Sequence, residues 1–345
     1  MSDLILRPDL TVAKASIRQI DSTAVSFNPY TGDTLTSSLG GDRMGCSLEL
    51  TPAGGTGSEG KVDRALMIAT LTRMRGKQRR IWVTDSGHRR RGGFPTGELV
   101  TNNTFRSGTT GWTSSGADVI TYGTDRTLRL ERSSAAHTNV AVYSAAITVT
   151  AGAKYAARAF VTGGYGGVGL KVRIGTTAGG NEVAESALQT TDGMVTVVGT
   201  PAGTTVYFSV LDYSPAGERT TGMWQDVHYV SLSRCLTVSG GSQTGDTLFV
   251  TGVPTYSTDV CLTGDQVEVI TNRGSELHTL TTAGQSLVGD MYLQFGPNMR
   301  GVPADGAAVI VYQPFGRFLF NGQVPEWMTE PGSISRASLD LVEAQ

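Results

Sequence analysis

Residues 97–116, GELVTNNTFRSGTTGWTSSG, mark the point where the composition of this chain changes. From there on, short runs of Val, Ile, Thr, Tyr and Phe are broken by Gly, Asp, Asn and Pro, the pattern of strands separated by turns. Ile147 to Thr150, Leu170 to Ile174, Val195 to Val198 and Val206 to Leu211 read this way. After Arg234 the rhythm shifts to compact units such as GDTLFVTG and GDQVEVI, a Gly-Asp turn ahead of an alternating strand. Leu248 to Val250, Gln266 to Ile270 and Ala308 to Tyr312 belong to these units. Three pieces result: residues 1–97, 98–233 and 234–345. The middle piece, roughly 135 residues, is the size of one β-sandwich.

On the N-terminal side of the border one segment breaks the β pattern. From about Ser58 to Arg75, Val62, Ala65, Leu66 and Ala69, with an Ile68 and Leu71 ridge, recur at three- and four-residue spacing. Ser58 suits the N-cap, Glu59 and Asp63 put negative charge in the first turns, and Arg73 and Arg75 precede Gly76. The spacing predicts one helix, followed by a strand at Arg80 to Thr84 and the polar loop DSGHRRRGG. On the other side, Leu236 through Phe320 reads as a small β-barrel with a strand at Phe315 to Phe320. The end, Val324 to Ala344, carries Trp327 and the alternating strand SISRASLDLVEA. The fold class is therefore mainly β: a split β-sandwich or barrel scaffold with one α-helix, an inserted β-sandwich and a small β-barrel.

Composition agrees. Gly (45) and Pro (12) make up about one residue in six of 345, without the three-residue period of collagen. The length exceeds one ordinary core and suits two or three domains. No run of about 18 apolar residues offers a membrane span, and MSDLILRPDL lacks the charged start and apolar run of a signal peptide. The expectation is a soluble chain, not secreted by that route. Cys46, Cys235 and Cys261 are odd in number and widely spaced, which argues for reduced, buried thiols. The net charge of −2 hides an asymmetry: residues 1–97 carry +5, residues 98–233 carry −1 and residues 234–345 carry −6.

Catalytic signatures are missing. The chain has no GxSxG, HExxH, CxxC or GxxxxGK[ST], and GGYGGVG at 163–169 has no Lys or Ser/Thr where a phosphate loop needs them. His88, His137, His228 and His278 have no second His or Cys at ligand spacing. No catalytic residue is assigned and the chain is read as a non-enzyme. The alternative, a polysaccharide-degrading enzyme with an attached binding module, needs two carboxylates about 5 to 10 Å apart. A cellular adhesin would need a secretion signal.

The opening stretch resembles the start of a jelly-roll carbohydrate-binding module. Leu99 and Val100 form the first strand, Asn102, Asn103 and Phe105 the turn, and Gly111 and Trp112 the Gly-Trp pair; Asp226, Val227, Val230 and Leu232 match the closing strand. The outer pieces resemble distal or minor tail proteins of long-tailed phages. The matching features are Gly41 to Leu50, the helix around Ala65 to Leu71, Arg80 to Arg91, Pro303 to Val309 and Pro314 to Phe320. These resemblances imply a structural virion protein of the tail tip, assembled in the host cytoplasm. It would form a ring with itself, commonly a hexamer, contact the tail tube, hub and tape measure proteins, and hold host-surface polysaccharide through the inserted domain.

Sugar binding lays an aromatic ring against the apolar face of a pyranose, so exposed aromatics are the residues to find. Tyr165 lies between glycine pairs and Tyr213 precedes SPAG, which places both at loop tips. Trp112 belongs to the matched motif and reads equally as a packing residue. Tyr143, Tyr155, Tyr207 and Tyr229 stand in alternating strands and read as core. The module resemblance implies a structural calcium near the two chain ends, with Glu98 and Asp226 at the matching positions; no other cofactor is expected. Arg79, Arg80, Arg89, Arg90 and Arg91 are read as a subunit contact rather than a specific nucleic-acid site, because aromatics for base stacking are not interleaved among them.

Overall fold

A computed structural model of the chain describes residues 3–10, 12–20, 23–27, 34–38, 42–50, 58–74, 79–84, 94, 97–115, 119–122, 126–131, 140–163, 169–213, 224–254, 260–284, 288–321, 327–329 and 335–344. The N-terminal piece holds β1 (Leu4–Ile5), β2 (Val12–Ile20), β3 (Thr23–Phe27), β4 (Thr34–Ser38), β5 (Arg43–Leu50), α1 (Ser58–Met74) and β6 (Arg80–Val83). The middle holds β7 (Trp112–Ser115), β8 (Val119–Tyr122), β9 (Leu128–Glu131), β10 (Val140–Ser144), β11 (Ile147–Thr148), β12 (Tyr155–Gly163), β13 (Gly169–Gly175), β14 (Ala184–Glu185), β15 (Gly193–Gly199), β16 (Thr205–Tyr213) and β17 (Trp224–Arg234). Then follow β18 (Leu236–Val238), β19 (Gly245–Thr251), β20 (Gln266–Thr271), β21 (Gly274–Leu280), β22 (Asp290–Met299), β23 (Ala308–Ile310), β24 (Gly316–Phe320), β25 (Trp327–Thr329) and β26 (Ser335–Glu343).

Strands from both ends of the chain share one sheet, ordered β1-β6-β24-β26-β5-β2, with β25 also on β26. Period-2 alternation sends Met44, Cys46, Leu48 and Leu50 of β5 to one face, where Leu339, Leu341, Phe318 and Phe320 join them. Helix α1 covers this face through Met67, Leu71 and Met74, all 2% exposed or less. Each such side chain contributes about 1.5–3 kcal/mol on burial. The helical stripe is rotated from the one the spacing suggests: Ala65 and Ala69 are exposed, and Met67 and Met74 take the inner positions. A methionine buries far more apolar area than an alanine, so the larger side chains choose the face. Asp63 is not a solvated first-turn charge either; it is buried and pairs with Arg126 (2.5 Å) and Arg106 (3.0 Å) of the middle piece.

The middle piece is a sandwich of two sheets. One is ordered β14-β13-β16-β10-β7, with β11 on β16; the other is β15-β12-β17-β9-β8. Val142, Val172, Ile174, Val206, Phe208 and Val210 face Ala157, Ala159, Val227, Val230 and Leu232 across the interior. Its entry and exit lie side by side: Leu99 N donates to Leu232 O (3.0 Å) and Val230 N to Asn103 O (3.0 Å). The asparagine-rich turn is built by Asn102, at φ 55°, whose amide donates to Gly108 O and Thr110 O and whose Oδ1 accepts from Ser107 N. Phe105, at φ 54° and fully buried, anchors the turn, so its packing holds a backbone conformation a bulky residue otherwise avoids.

The last piece closes a six-stranded barrel, β18-β19-β22-β21-β20-β23, around Leu248, Val250, Val267, Val269, Leu293 and Val309. Phe94 plugs into this core from the far side of the sandwich in sequence, with its N–H on Val260 O at 3.0 Å. The three thiols are buried and unbridged, and burial pushes Cys235 up to about 12.

The sandwich is seated on the other two pieces. Phe160 and Tyr229, on the outer face of its β12/β17 sheet, pack with Ile5, Trp82 and Phe315. Ala156 and Cys235 pack with Ala308 and Ile310. Arg158, with no exposed surface, reaches from β12 to Glu268 of the barrel (3.1 Å) and to the carbonyls of Tyr312 and Gln313. This explains why β12 is buried along seven consecutive residues, against the half-buried alternation of a free sandwich strand.

Candidate functional site

With one sheet of the sandwich seated, the other offers its outer face. Strand parity decides what stands there. Val206, Phe208 and Val210 point into the core, so Tyr207, Ser209, Leu211 and Tyr213 of β16 point out. On β13 the outward residues are Lys171 and Arg173, and on β10 they are Ala141 and Tyr143. Register then sets the neighbours on this side of the sheet: Ser209 lies between Arg173 and Tyr143, and Leu211 between Lys171 and Ala141. Tyr207 is the diagonal neighbour of both Arg173 and Tyr143, within reach of long side chains at about 7–8 Å. Tyr143, Tyr207 and Tyr213 are half-buried, whereas Ala141, Ser209 and Leu211 between them are buried.

Opposite Tyr213 and Tyr207 the β13 partners are Gly169 and Gly175. A Cβ at Gly169 would fall 2.3 Å from Leu188, and one at Gly175 would fall 2.6 Å from the Gly180 backbone. Glycine at these two positions lets residues 176–189 fold back beside the tyrosines.

Charge is concentrated at the same end. Glu185 of β14 takes Lys171 Nζ on one oxygen (2.6 Å) and Arg173 Nε on the other (2.5 Å). Burial raises this carboxyl, but the bonds and charges of Lys171 and Arg173 outweigh it and hold it below the ordinary range. The Thr177 hydroxyl and backbone N–H groups hold Glu182 low as well. Lys171 Nζ also stands 4.7 Å from the Tyr213 ring centroid and covers one face of that ring. The face thus combines aromatic rings, two cations and a fixed anion, the groups that stack on a pyranose and bond its hydroxyls.

The residues singled out from sequence are distributed differently. Trp112 is a core residue and not a stacking platform: it is 7% exposed, with Phe105 at 5.5 Å and Phe208 at 6.0 Å between ring centroids. Tyr213 is on the open face; Tyr165 lies outside the described residues. Tyr155 and Tyr229 are buried, whereas Tyr143 and Tyr207 leave the core reading and stand on the face. The signal was present in VYFSVLDY, where the Val-Phe-Val set occupies the inward positions and fixes Tyr207 outward.

Glu98 and Asp226 do not form one site. Glu98 Oε1 accepts the N–H groups of Val100 and Leu232, both at 3.0 Å, which ties the ends of the sandwich together. Burial raises its pKa, against those bonds. Asp226 is held by Arg129 in a two-point ion pair (2.8 and 2.9 Å), and Arg129 stacks on Trp224 at 4.1 Å. Asp226 stands six residues before Leu232, about 20 Å along an extended strand. The two carboxylates stand in different surroundings, and among the described residues no group of three or more His, Cys, Asp and Glu is placed to hold a metal ion. Arg80 lies in β6 and Arg79 just ahead of it; Arg89, Arg90 and Arg91 fall outside the described residues.

No family model matches the chain, and no curated protein matches it. Among solved structures, TmCBM61 in complex with beta-1,4-galactotriose is similar at 16% identity and a TM-score of 0.30, over 40% of this chain and 99% of its own. The N-terminal CBM22-1-CBM22-2 tandem domain of Xyn10C from Paenibacillus barcinonensis is similar at 12% identity and a TM-score of 0.29, over 74% and 99%. The glycoside hydrolase domain of Endo-D from Streptococcus pneumoniae R6 is similar at 14% and 0.25, over 67% of this chain and 37% of that one.

Proposed function

We propose that this chain is a glycan-binding structural protein, and that the sugar lies across β10, β16 and β13 on the open face of the sandwich. The observation that carries this reading is the parity of β16, which puts Tyr207 and Tyr213 beside Tyr143, Arg173 and Lys171 while the opposite sheet is sealed. Flat aromatic rings take the apolar faces of a sugar, and the ion-paired Lys171, Arg173 and Glu185 supply fixed donors and acceptors for its hydroxyls. The reading is of binding without cleavage. A glycosidase needs one carboxyl kept protonated near neutral pH, and Glu182 and Glu185 are both held low.

The wider setting we propose is the tip of a long phage tail, as the resemblance of the outer pieces implies. The nine-residue β2 supports a self-associating scaffold. It pairs with β5 on one side and stands at the end of its sheet, with Lys14, Ser16 and Arg18 exposed. Sedimentation of the purified chain is expected to show a ring-sized assembly, and a strict monomer at all concentrations rejects this setting.

Glycan-array binding by the full chain tests the site. Tyr207→Ala and Tyr143→Ala are each expected to weaken binding about tenfold, the equivalent of roughly 1.4 kcal/mol for a lost stacking contact. Trp112→Phe is expected to leave affinity unchanged, since that ring faces the core. Unaltered binding in both tyrosine variants rejects the open face as the site, and release of reducing sugar from a bound glycan rejects binding without cleavage.

A further inference from the structure

A second group of charges stands where the barrel meets the scaffold sheet, away from the sandwich face. On β24, Phe318 and Phe320 turn inward, so Arg317 projects from the opposite side of the sheet. β6 pairs Trp82 with Arg317 and Arg80 with Leu319, which puts Arg80 on that same side. From the barrel come Arg273, in the turn between β20 and β21, and Arg300, just after β22. Arg273, Arg300 and Arg317 line a small cleft with Ser275, Glu276 and Ala344. Gly274, at φ 105°, lets the Arg317 guanidinium lie against the turn; a Cβ there would stand 3.4 Å from Nη1.

The acidic groups nearby are already committed. Glu343 pairs with Arg300 at 2.8 Å and accepts the N–H groups of Met44 and Leu277. Glu276 accepts from Arg300 N (2.9 Å), Gly301 N (2.7 Å) and the Thr271 hydroxyl (3.1 Å). Asp3 takes the Trp82 indole N–H at 3.0 Å. Arg317 is left with one hydrogen bond, Nη2 to Arg273 O at 3.2 Å, and its buried Nε has no acceptor among the described residues. Burial is the leading cause that disfavours its charge, with Arg80 and Arg300 adding to it and Asp3 and Glu343 opposing it.

We propose that this cleft binds one oxyanion group, a carboxylate or a phosphate, clamped between Arg317 and Arg273 with Arg300 and Arg80 behind. An oxyanion in the cleft would offset the repulsion among the arginines and use the planar fork that guanidinium presents to such groups. None of these residues belongs to the glycan face, so this site stands or falls independently of it.

The test is thermal unfolding of the full chain in rising inorganic phosphate, rising acetate, and sodium chloride at matched ionic strength. A saturable rise in Tm with phosphate or acetate beyond that in chloride is expected. The larger response assigns the group: phosphate if phosphate leads, carboxylate if acetate leads. Arg273→Gln, at an exposed turn position, is expected to fold normally and raise the half-saturating concentration about tenfold, the equivalent of losing one charge-assisted hydrogen bond. Arg317→Gln is expected to abolish the saturable part. Equal, unsaturated responses to all three salts, or unchanged half-saturation in Arg273→Gln, overturn the site.

Discussion

Arg158→Ala is expected to lower the unfolding free energy by about 3–5 kcal/mol, because it strands a buried carboxylate. Arg158 and Glu268 both have no exposed surface, and Glu268 also accepts the Phe315 N–H (2.8 Å) and the Ser275 hydroxyl (2.7 Å). Burial raises the Glu268 pKa, and Arg158 is the leading influence that opposes this. Removing the guanidinium also deprives the Tyr312 and Gln313 carbonyls of their donors and opens space beside Phe315, 5.5 Å away. The loss is read from urea unfolding monitored by tryptophan fluorescence. The double variant Arg158→Met, Glu268→Leu is expected to recover most of it, since buried ion pairs offset little more than their own desolvation. A loss below about 1 kcal/mol for Arg158→Ala, the size of an exposed ion pair, rules out a dry junction. The consequence is mechanical: the sandwich is seated on barrel and scaffold through a buried charge, and its other sheet is presented in a fixed orientation.

The second large effect is on acid stability. His278 is buried in the barrel, with its Nδ1–H donated to Pro297 O (2.8 Å), its ring 4.4 Å from Phe295, and its Nε2 without a hydrogen bond, 3.7 Å from Glu276. Burial pushes its pKa down to about 4 from an ordinary 6.5, with Arg300 adding to the burial and the Pro297 bond and Glu276 opposing it. The folded imidazole is therefore neutral where the unfolded one takes a proton. Its contribution to stability is complete above pH 6.5 and is lost as pH falls toward 4. The full loss is about 3 kcal/mol. The neighbouring carboxyls Glu268 and Glu343 have raised values and act in the opposite direction, gaining stability as they protonate. Comparing wild type with His278→Gln across pH 4 to 8 cancels them. The difference between the two stability curves is expected to change over pH 6.5 to 4 and to be flat above it. A flat difference throughout means that His278 titrates alike in the folded and the unfolded chain, which rules out the burial effect.

How much of this was legible without coordinates depends on how local the cause is. The helix at Ser58–Met74 follows from capping and spacing within a few residues, and the barrel strands from Gly-Asp turns ahead of alternating runs. The direction of the helical stripe was not local: Met67 and Met74 face inward because strands from both ends of the chain meet there. Tyr207 was legible in principle, since the parity of VYFSVLDY is a two-residue property. Tyr143 was less so, because only its pairing with β16 shows which side of β10 is open. Tyr229, in an alternating strand like Tyr207, ended fully buried because its outward face meets Phe315 and donates its hydroxyl to Gln313.

The pairing of acidic and basic groups lay furthest from sequence. Asp63 read as a first-turn charge and became the buried partner of Arg126, 63 residues away. Glu98 and Asp226 read as a pair and went to different neighbours. The sequence by itself determined the class of the protein: strand periods, turn glycines, one capped helix and two composition borders, all set by interactions within about ten residues. Tertiary structure decided which face of each strand is dry. Each strand has two faces and alternation labels them, but only the docking of one sheet against a distant part of the chain removes water from one side. That docking buried Tyr229 and Arg158, and left Tyr143, Tyr207 and Tyr213 half-buried beside Lys171 and Arg173 on the other sheet.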